Sequence, residues 1–599
     1  MLEQRNLILA IALSVAIIVG FEMISPKPVP TPEQMAQQQT GVATNMSPSA
    51  DGSGVPIVNN AAPGSVPAPG NVPAPGGTGA QGAIANAVRA DVIANSPRIT
   101  FDNGRVFGSI SLTGGRIDDL TLTGYRETVD PESAQIVLLS PAGTAKPYYA
   151  DFGWTTGPGI KIKTPTPQTV WQSDKRTLSG NATATLSWNN GEGLIFKRMI
   201  TLDDDFMFTV RDVVENKTGE AVSLYPYGLV SRTGLPQTTG FYILHEGALG
   251  VFDETLKEVD YEDMQEEGKI QVASTGGWIG ITDKYWLAAL VPDQKAKINA
   301  SFGHSISNNQ EKFQIDYLHG AHSVDARSST EVVNHFFAGA KEVHVLDSYE
   351  TKYAVKRFDL AVDFGWFYFL TKPFFYAIDW FYKLLGNFGL AILALTVCVR
   401  IVFYPLANKS FKAMGAMKRL QPEMTKLRER YGDDKAKLNQ EMMALYKKEK
   451  ANPMAGCLPI ALQIPVFFSL YKVLFVSIEM RHAPFYGWIS DLSAADPTSL
   501  VNLFGLIPWT PPEFIPALGV WPIIMGITMF LQQKLNPQPA DPIQAKIFMF
   551  LPFVFTFMLS TFPAGLVIYW SWNNTLSMAQ QYIIMKRAGV KPGGKAVSK

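Results

Sequence analysis

The chain changes its pattern of apolar and polar positions several times along its length. Residues 7–24, LILAIALSVAIIVGFEMI, form one apolar run, about long enough to cross a hydrocarbon core of roughly 30 Å. No A-x-A-like cleavage site follows; the next residues are Ser25-Pro26-Lys27-Pro28. The run therefore reads as an uncleaved anchor, residues 1–25, with its N-terminus in the cytoplasm. From 26 to 90 the pattern gives way to Pro, Gly, Ala, Gln, Asn and Ser, with V-P-A-P-G at 66–70 and again at 72–76. Such a segment buries too little apolar surface to offset its ordering entropy, so a flexible linker is expected. From 91 to 355 a period of two takes over, as in RITFDNGRVFGSISLTGGRIDDLTLTGY (98–125) and GLIFKRMITLDDDFMFTVRDVVEN (193–216). Short alternating runs separated by Gly, Asp and Asn predict a large antiparallel β-sandwich.

Residues 356–387 are rich in Phe, Trp and Tyr but carry Asp363, Lys372, Pro373, Asp379 and Lys383. Aromatic residues mixed with charges predict an amphipathic helix lying at a membrane–water interface. Five apolar runs follow at about 388–407, 456–478, 517–534, 546–562 and 565–584, within a helical core of 388–585. Their connections can be ordered by charge, because cytoplasmic loops carry an excess of Lys and Arg. The loop 408–455 is clearly basic, and the tail 586–599 has five Lys or Arg and no acid. The loop 479–516 instead sets Arg481 against Glu479, Asp491, Asp496 and Glu513. The expected protein has a membrane anchor, an external all-β domain and a five-span α-helical core, with both termini in the cytoplasm.

Inside the basic loop, Met414, Met417, Leu420, Met424 and Leu427 recur at helical spacing, as do Leu438, Met442 and Leu445. Gly432-Asp433-Asp434 between them reads as a turn with an N-cap. This predicts a helical hairpin with one apolar seam. Two uses of that seam remain open: self-packing of the pair, or a Met-rich surface that touches incoming apolar segments or a ribosome.

Formal charge sums to zero, so no global attraction to nucleic acid is expected. The two cysteines, Cys398 and Cys457, both fall in apolar runs, which argues against a disulfide framework and against thiol or metal chemistry. His319 and His322 form a lone His-x-x-His, too little for a metal site; surface or turn histidines are the simpler account. No catalytic residue, metal or cofactor is expected. The feature that calls for explanation is Arg400, inside LTVCVRIVFYPL (395–406), where a guanidinium facing lipid costs roughly 2.5–3.5 kcal/mol. On a continuous helix Thr396, Arg400 and Tyr404 share a face. Gln463 interrupts another span, Thr528 and Gln532 stand four apart in a third, and Tyr569, Asn573 and Ser577 form a four-residue series in the last. Polar stripes on several spans predict a shared hydrated cavity. Snorkelling is the rival account: Arg400 would sit about 9 Å inside a cytoplasmic end at Leu406, within reach of headgroups. Glu441 in the hairpin is the nearest candidate acid in sequence order.

V-R-x-x-x-Y-P-L (399–406), LQPEMTKLRERYGDDKAKLNQEMMALYKKEKANPMAGCLPIALQIPVFFSLYKVL (420–474) and FPAGLVIYW (562–570) resemble the YidC-type membrane protein insertases of the Oxa/Alb superfamily. The resemblance covers about 355–587, and the anchor, linker and β domain are similar to those of the Gram-negative members. It implies a periplasmic β-supersandwich and a five-helix core around a hydrophilic groove, open to cytoplasm and lipid but closed toward the periplasm. It places the groove cation on Arg400, substrate-contacting positions on Thr396, Gln463, Tyr569 and Trp570, and the hairpin acid on Glu441. The implied partners are nascent membrane proteins, the Sec translocon, the ribosome and membrane lipids, with nucleic acid met only through the ribosome. The tail is short for ribosome binding. A polar-cavity transporter and a sugar-binding periplasmic module are the competing functions; the first would show inverted repeats, and none is visible.

Overall fold

In the middle of the chain the alternating side chains fold as strands because every second residue can enter one buried face. The strand Leu194–Leu202, LIFKRMITL, alternates buried and half-buried positions throughout. The computed structural model describes residues 88–587, except 158–159, 239, 241–242, 308, 433, 450–457, 508–517 and 537–541. The anchor and nearly all of the linker, as well as Asp433, Cys457 and the basic tail beyond Arg587, lie outside the described residues.

The β domain has two sheets of eleven and nine strands. In the smaller sheet Met207–Asn216 lies between Leu194–Leu202 and Ser329–Ala340, with Val210 opposite Ile200 and Asn334. In the larger, Val222–Thr233 lies between Tyr148–Thr156 and Gln310–His319. The sheets meet through aromatic side chains: Phe101 against Phe208 at 5.3 Å, and Phe152 against Phe336 at 6.4 Å between ring centres. Arg198 is buried in this core. Its Nε donates to Asp212 Oδ1 at 2.8 Å, and its other nitrogens donate to the carbonyls of Gly115 and Phe152. His319, expected at a surface or turn, is instead 1% exposed and bonded to Asn334 at 3.2 Å. Burial holds its imidazole down at about 4, so it stays neutral.

The helices are α1 (Arg89–Ala94), α2 (Tyr261–Glu267), α3 (Val343–Lys352), α4 (Tyr368–Leu385), α5 (Phe388–Val402), α6 (Tyr404–Tyr431), α7 (Lys435–Lys448), α8 (Leu458–Val476), α9 (Val520–Leu535), α10 (Pro542–Met558) and α11 (Ala564–Arg587). The region expected as one interfacial helix is a 3-10 turn, Phe358–Ala361, followed by α4. Its charges do not simply face water. Lys372 pairs with Asp347 of α3 at 2.9 Å and with Asp359 at 2.6 Å, and Asp379 accepts from His344 at 3.0 Å. The aromatic side chains Trp366, Phe369 and Trp380 stay exposed.

No single described helix is long and apolar enough to cross a membrane; α5 and the first part of α6 meet that test only together, bent by 68°. The run expected as a continuous helix over 388–407 therefore breaks at Phe403. Pro405 near the start of α6 has no N–H to give the Ile401 carbonyl, and its ring crowds that turn. Contacts between the β domain and the helices are specific. Lys472 of α8 pairs with Asp363 at 2.7 Å, Arg481 donates to the Arg126 carbonyl at 2.6 Å, and Lys284 lies 3.7 Å from the centre of the Phe475 ring. Glu479 accepts from the Val343 N–H at 2.9 Å, so a carboxylate from the helical part caps α3, whose own N-cap side chain makes no such bond. Burial pushes the Glu479 carboxyl up to about 7.

Candidate functional site

The last helix, α11, gathers the polar residues of the bundle. Tyr569, Asn573, Ser577 and Gln581 recur every four residues and are all buried, so they form one stripe facing inward. Arg400, near the end of α5, meets this stripe. Its Nε and one terminal nitrogen donate to Asn573 Oδ1 at 3.0 and 2.5 Å, and the same nitrogen donates to the Asn573 carbonyl at 3.2 Å and to Ser577 Oγ at 2.5 Å. Every one of these acceptors is neutral. Among the described residues no carboxylate pairs with Arg400, and Glu441, half-buried on α7, is not its partner. The guanidinium is thus fixed in place without its charge being cancelled.

The stripe continues through other helices. Gln463 of α8 donates its amide to Tyr569 Oη. Asn574 donates to Thr528 of α9 at 3.2 Å, and Gln581 donates to Asn536 Oδ1 at 3.2 Å and to the Leu535 carbonyl. Gln532, one turn beyond Thr528, is half-buried and joins none of these bonds. Thr396 is buried but bonds its own helix, at the Ile392 carbonyl, 2.7 Å away. Tyr404 leaves the group: the break at Phe403 puts it on α6, 39% exposed. Trp570 is half-buried between aromatic neighbours, 4.7 Å from the Phe467 ring and 5.8 Å from Phe555. The seam is packed side chain against side chain at its inner end, with Arg400, Gln463 and Thr528 only half-buried.

Asn574, Gln581 and Asn536 were not among the residues expected from sequence. Gln581 continues the spacing of Tyr569, Asn573 and Ser577 by one more turn and could have been found that way; Asn574 is offset by one residue. The hairpin keeps its seam to itself. Leu420, Met424 and Leu445 are buried together with Met417, Leu427 and Met442 around them. Met414 packs with Ala407, Phe411 and Ile584, which ties the hairpin's base to α11. Asp434 caps α7 through the Lys437 N–H at 3.0 Å. Of the two uses open to the seam, the packing is that of a self-packed pair, and Met443, off the seam, is the methionine left largely exposed among the described hairpin residues.

Outside the seam the helices expose apolar side chains: Val397, Ile401 and Val402 on α5, Ile527 and Leu531 on α9, Phe550, Phe553, Val554 and Phe557 on α10. Helices that enclose their polar residues and expose their apolar ones have lipid as their natural surroundings. Fold and seam together define a helical membrane protein carrying a large β-sandwich domain. Residues 98–377 match the family model described as the YidC periplasmic domain, and residues 380–591 match the one described as 60Kd inner membrane protein. The chain is 51% identical to the membrane protein insertase YidC of Methylorubrum extorquens, over 98% of this chain and 96% of that protein. It is 50% identical to the membrane protein insertase YidC of Bradyrhizobium diazoefficiens, over 99% and 97%. Among solved structures it is similar to an active YidC insertase with its first transmembrane domain resolved, at 16% identity and TM-score 0.35, covering 81% of this chain and 94% of that one. The chain belongs to the YidC family of membrane protein insertases.

Proposed function

We propose that this protein moves nascent transmembrane segments from the cytoplasm into the inner membrane, and that Arg400 is the point at which their polar flanks are received. The reading takes the N-terminal run as an anchor and α5 with the start of α6, α8, α9, α10 and α11 as five further spans, with the β domain periplasmic and both termini cytoplasmic. The charge asymmetry of the loops supports this topology. No bond is broken in the process, so neither nucleophile nor cofactor is required. The Sec translocon and the ribosome are proposed partners, with the self-packed hairpin presenting its basic outer faces to the ribosome.

The observation that carries the reading is the coordination of Arg400 by neutral acceptors alone. A guanidinium held by an amide and a hydroxyl keeps its field, and in a poorly solvated site that field is weakly screened. A flank carrying Asp or Glu gains from approaching it and loses that gain when it leaves, so binding is transient. Polar side chains on α8, α9 and α11 offer hydrogen bonds to the rest of the flank, while the apolar segment slides along the exposed faces of α9 and α10. Hydrophobic partition and the membrane potential complete the transfer. In a depletion–complementation assay, Arg400→Lys is expected to support growth. Arg400→Ala and Arg400→Glu are expected to impair insertion of acidic-flanked substrates. Equal activity of all three would sink a charge-based role.

A further inference from the structure

A cavity of about 810 Å³ lies where the β domain, the segment before α4 and α8 meet, within the range of about 300–1,000 Å³ that small-molecule sites occupy. One side of it is apolar and faces outward. Ile464 and Phe468, four apart on α8, are 47% and 42% exposed, and Trp366 beside them is 96% exposed. The other side is charged and comes from His245, Glu258, Asp260, Asp363 and Lys472. Lys472 Nζ donates to Asp363 Oδ2 at 2.7 Å and to the Ile243 carbonyl. The backbone N–H of His245 also donates to Asp363, at 3.1 Å, and its ring meets Asp260 at 3.0 Å. The Glu258 side chain makes no close hydrogen bond or ion pair among the described residues, and feels the charges of His245 and Lys472 only at longer range. An ammonium has three donors, and two of those on Lys472 are used. Three carboxylates face one ammonium and one imidazole, so one negative charge is left over even when the imidazole is protonated.

An amphiphile satisfies both sides at once. An alkyl chain packs against the exposed apolar wall of α8, as lipid tails do along any membrane-embedded apolar face. A cationic group answers the surplus carboxylate, and an anionic group can take the third donor of Lys472. We propose that this cavity binds a phospholipid with an amine headgroup, of the phosphatidylethanolamine class. Its ammonium lies at Glu258, its phosphate near Lys472, and one acyl chain lies against Ile464, Phe468 and Trp366. The bound lipid fills the joint between the β domain and α8 at the outer membrane surface. Lipids with a net negative head are disfavoured because they bring charge of the same sign to Glu258 and Asp260. The proposal rests on α8 being embedded in the membrane with the β domain outside.

The test uses the full-length protein in mild detergent with equimolar phosphatidylethanolamine and phosphatidylglycerol, and reads the retained lipid by native mass spectrometry. The unaltered protein is expected to retain the amine lipid preferentially. Glu258→Lys, at an exposed strand position, is expected to cut that preference about fivefold, the worth of one partly exposed ion pair. Ile464→Trp, which fills the apolar wall, is expected to lower retention of both lipids. Arg400→Ala is expected to leave retention unchanged, so a lost insertion activity in that variant reports on the seam and not on this cavity. Equal retention of the two lipids, or a preference that Glu258→Lys leaves intact, overturns the proposal.

Discussion

Asn573→Asp separates the position of Arg400 from its charge. The side chain keeps its shape and keeps an oxygen where Asn573 Oδ1 now accepts at 2.5 and 3.0 Å, so the guanidinium stays where it is. Its field does not. At an effective dielectric constant of about 20, a flank carboxylate about 8 Å from the guanidinium gains about 2 kcal/mol, a factor of about thirty. With a second carboxylate about 3 Å behind the guanidinium, the same flank sees a nearly neutral pair and gains about 0.6 kcal/mol. The preference for acidic flanks should therefore fall about tenfold, while neutral-flanked substrates are inserted as before. The assay is protease protection in reconstituted vesicles, with matched substrates that differ only in one flank charge. Undiminished preference in Asn573→Asp would refute the reasoning, as would equal losses for both substrates, which would mean that the seam had merely been distorted.

Glu479 predicts a pH dependence of stability. Its carboxyl titrates near 7 in the folded protein against an ordinary 4.5, so the folded state holds a proton that the unfolded state gives up between those values. The stabilisation is complete below about pH 4.5 and is lost as pH rises through 7, by about 3 kcal/mol in all. Glu479→Gln should flatten this slope in thermal unfolding scans from pH 5 to 8 and still accept from Val343; an unchanged slope would assign the titration elsewhere. In the hairpin, Leu445→Ala should loosen the α6–α7 pair by about 2 kcal/mol or more, seen as faster amide exchange, whereas Met443→Ala on the outer face should change little. At Gly389 an added methyl would lie 2.0 Å from the Phe485 ring, so Gly389→Ala should destabilise by about 1–3 kcal/mol, with a lower unfolding temperature as the readout.

Much of the seam was legible because helical spacing is a local property. Tyr569, Asn573 and Ser577 stand on one face wherever their helix goes, and Arg400 stood out because its neighbours are apolar. What spacing could not supply was the partner. Sequence order offers Glu441 as the nearest acid and none inside the spans, whereas the acceptors are the amide and backbone carbonyl of Asn573 and the hydroxyl of Ser577, on a stripe that the spacing already marks. Tyr404 stands beside Arg400 only on an unbroken helix, and Pro405, two residues beyond the break at Phe403, is as compatible with a new start as with a kink. The histidine pair misled in the other direction, because His319 ends a strand whose inner face is occupied by Tyr317 and Ile315. Least legible were the joints. Lys472 meets Ile243, 229 residues earlier in the chain, and nothing local to either residue announces it.

Those joints bear on how the protein is itself made. Glu479 completes the cap of α3 from 136 residues downstream, and Lys472 reaches Asp363 from 109 residues downstream. On the proposed topology, the first partner of each pair is delivered across the membrane while α8 has yet to leave the ribosome. The β domain must therefore wait with an open helix end and an unpaired carboxylate until α8 threads across and presents Lys472 and Glu479 on the far side. Biogenesis then has a defined intermediate step, before α9 to α11 follow, in which the arriving helix is pulled to its full depth by contacts that exist only once it gets there. An insertase of this design is also a substrate whose insertion is latched by its own earlier-synthesised domain.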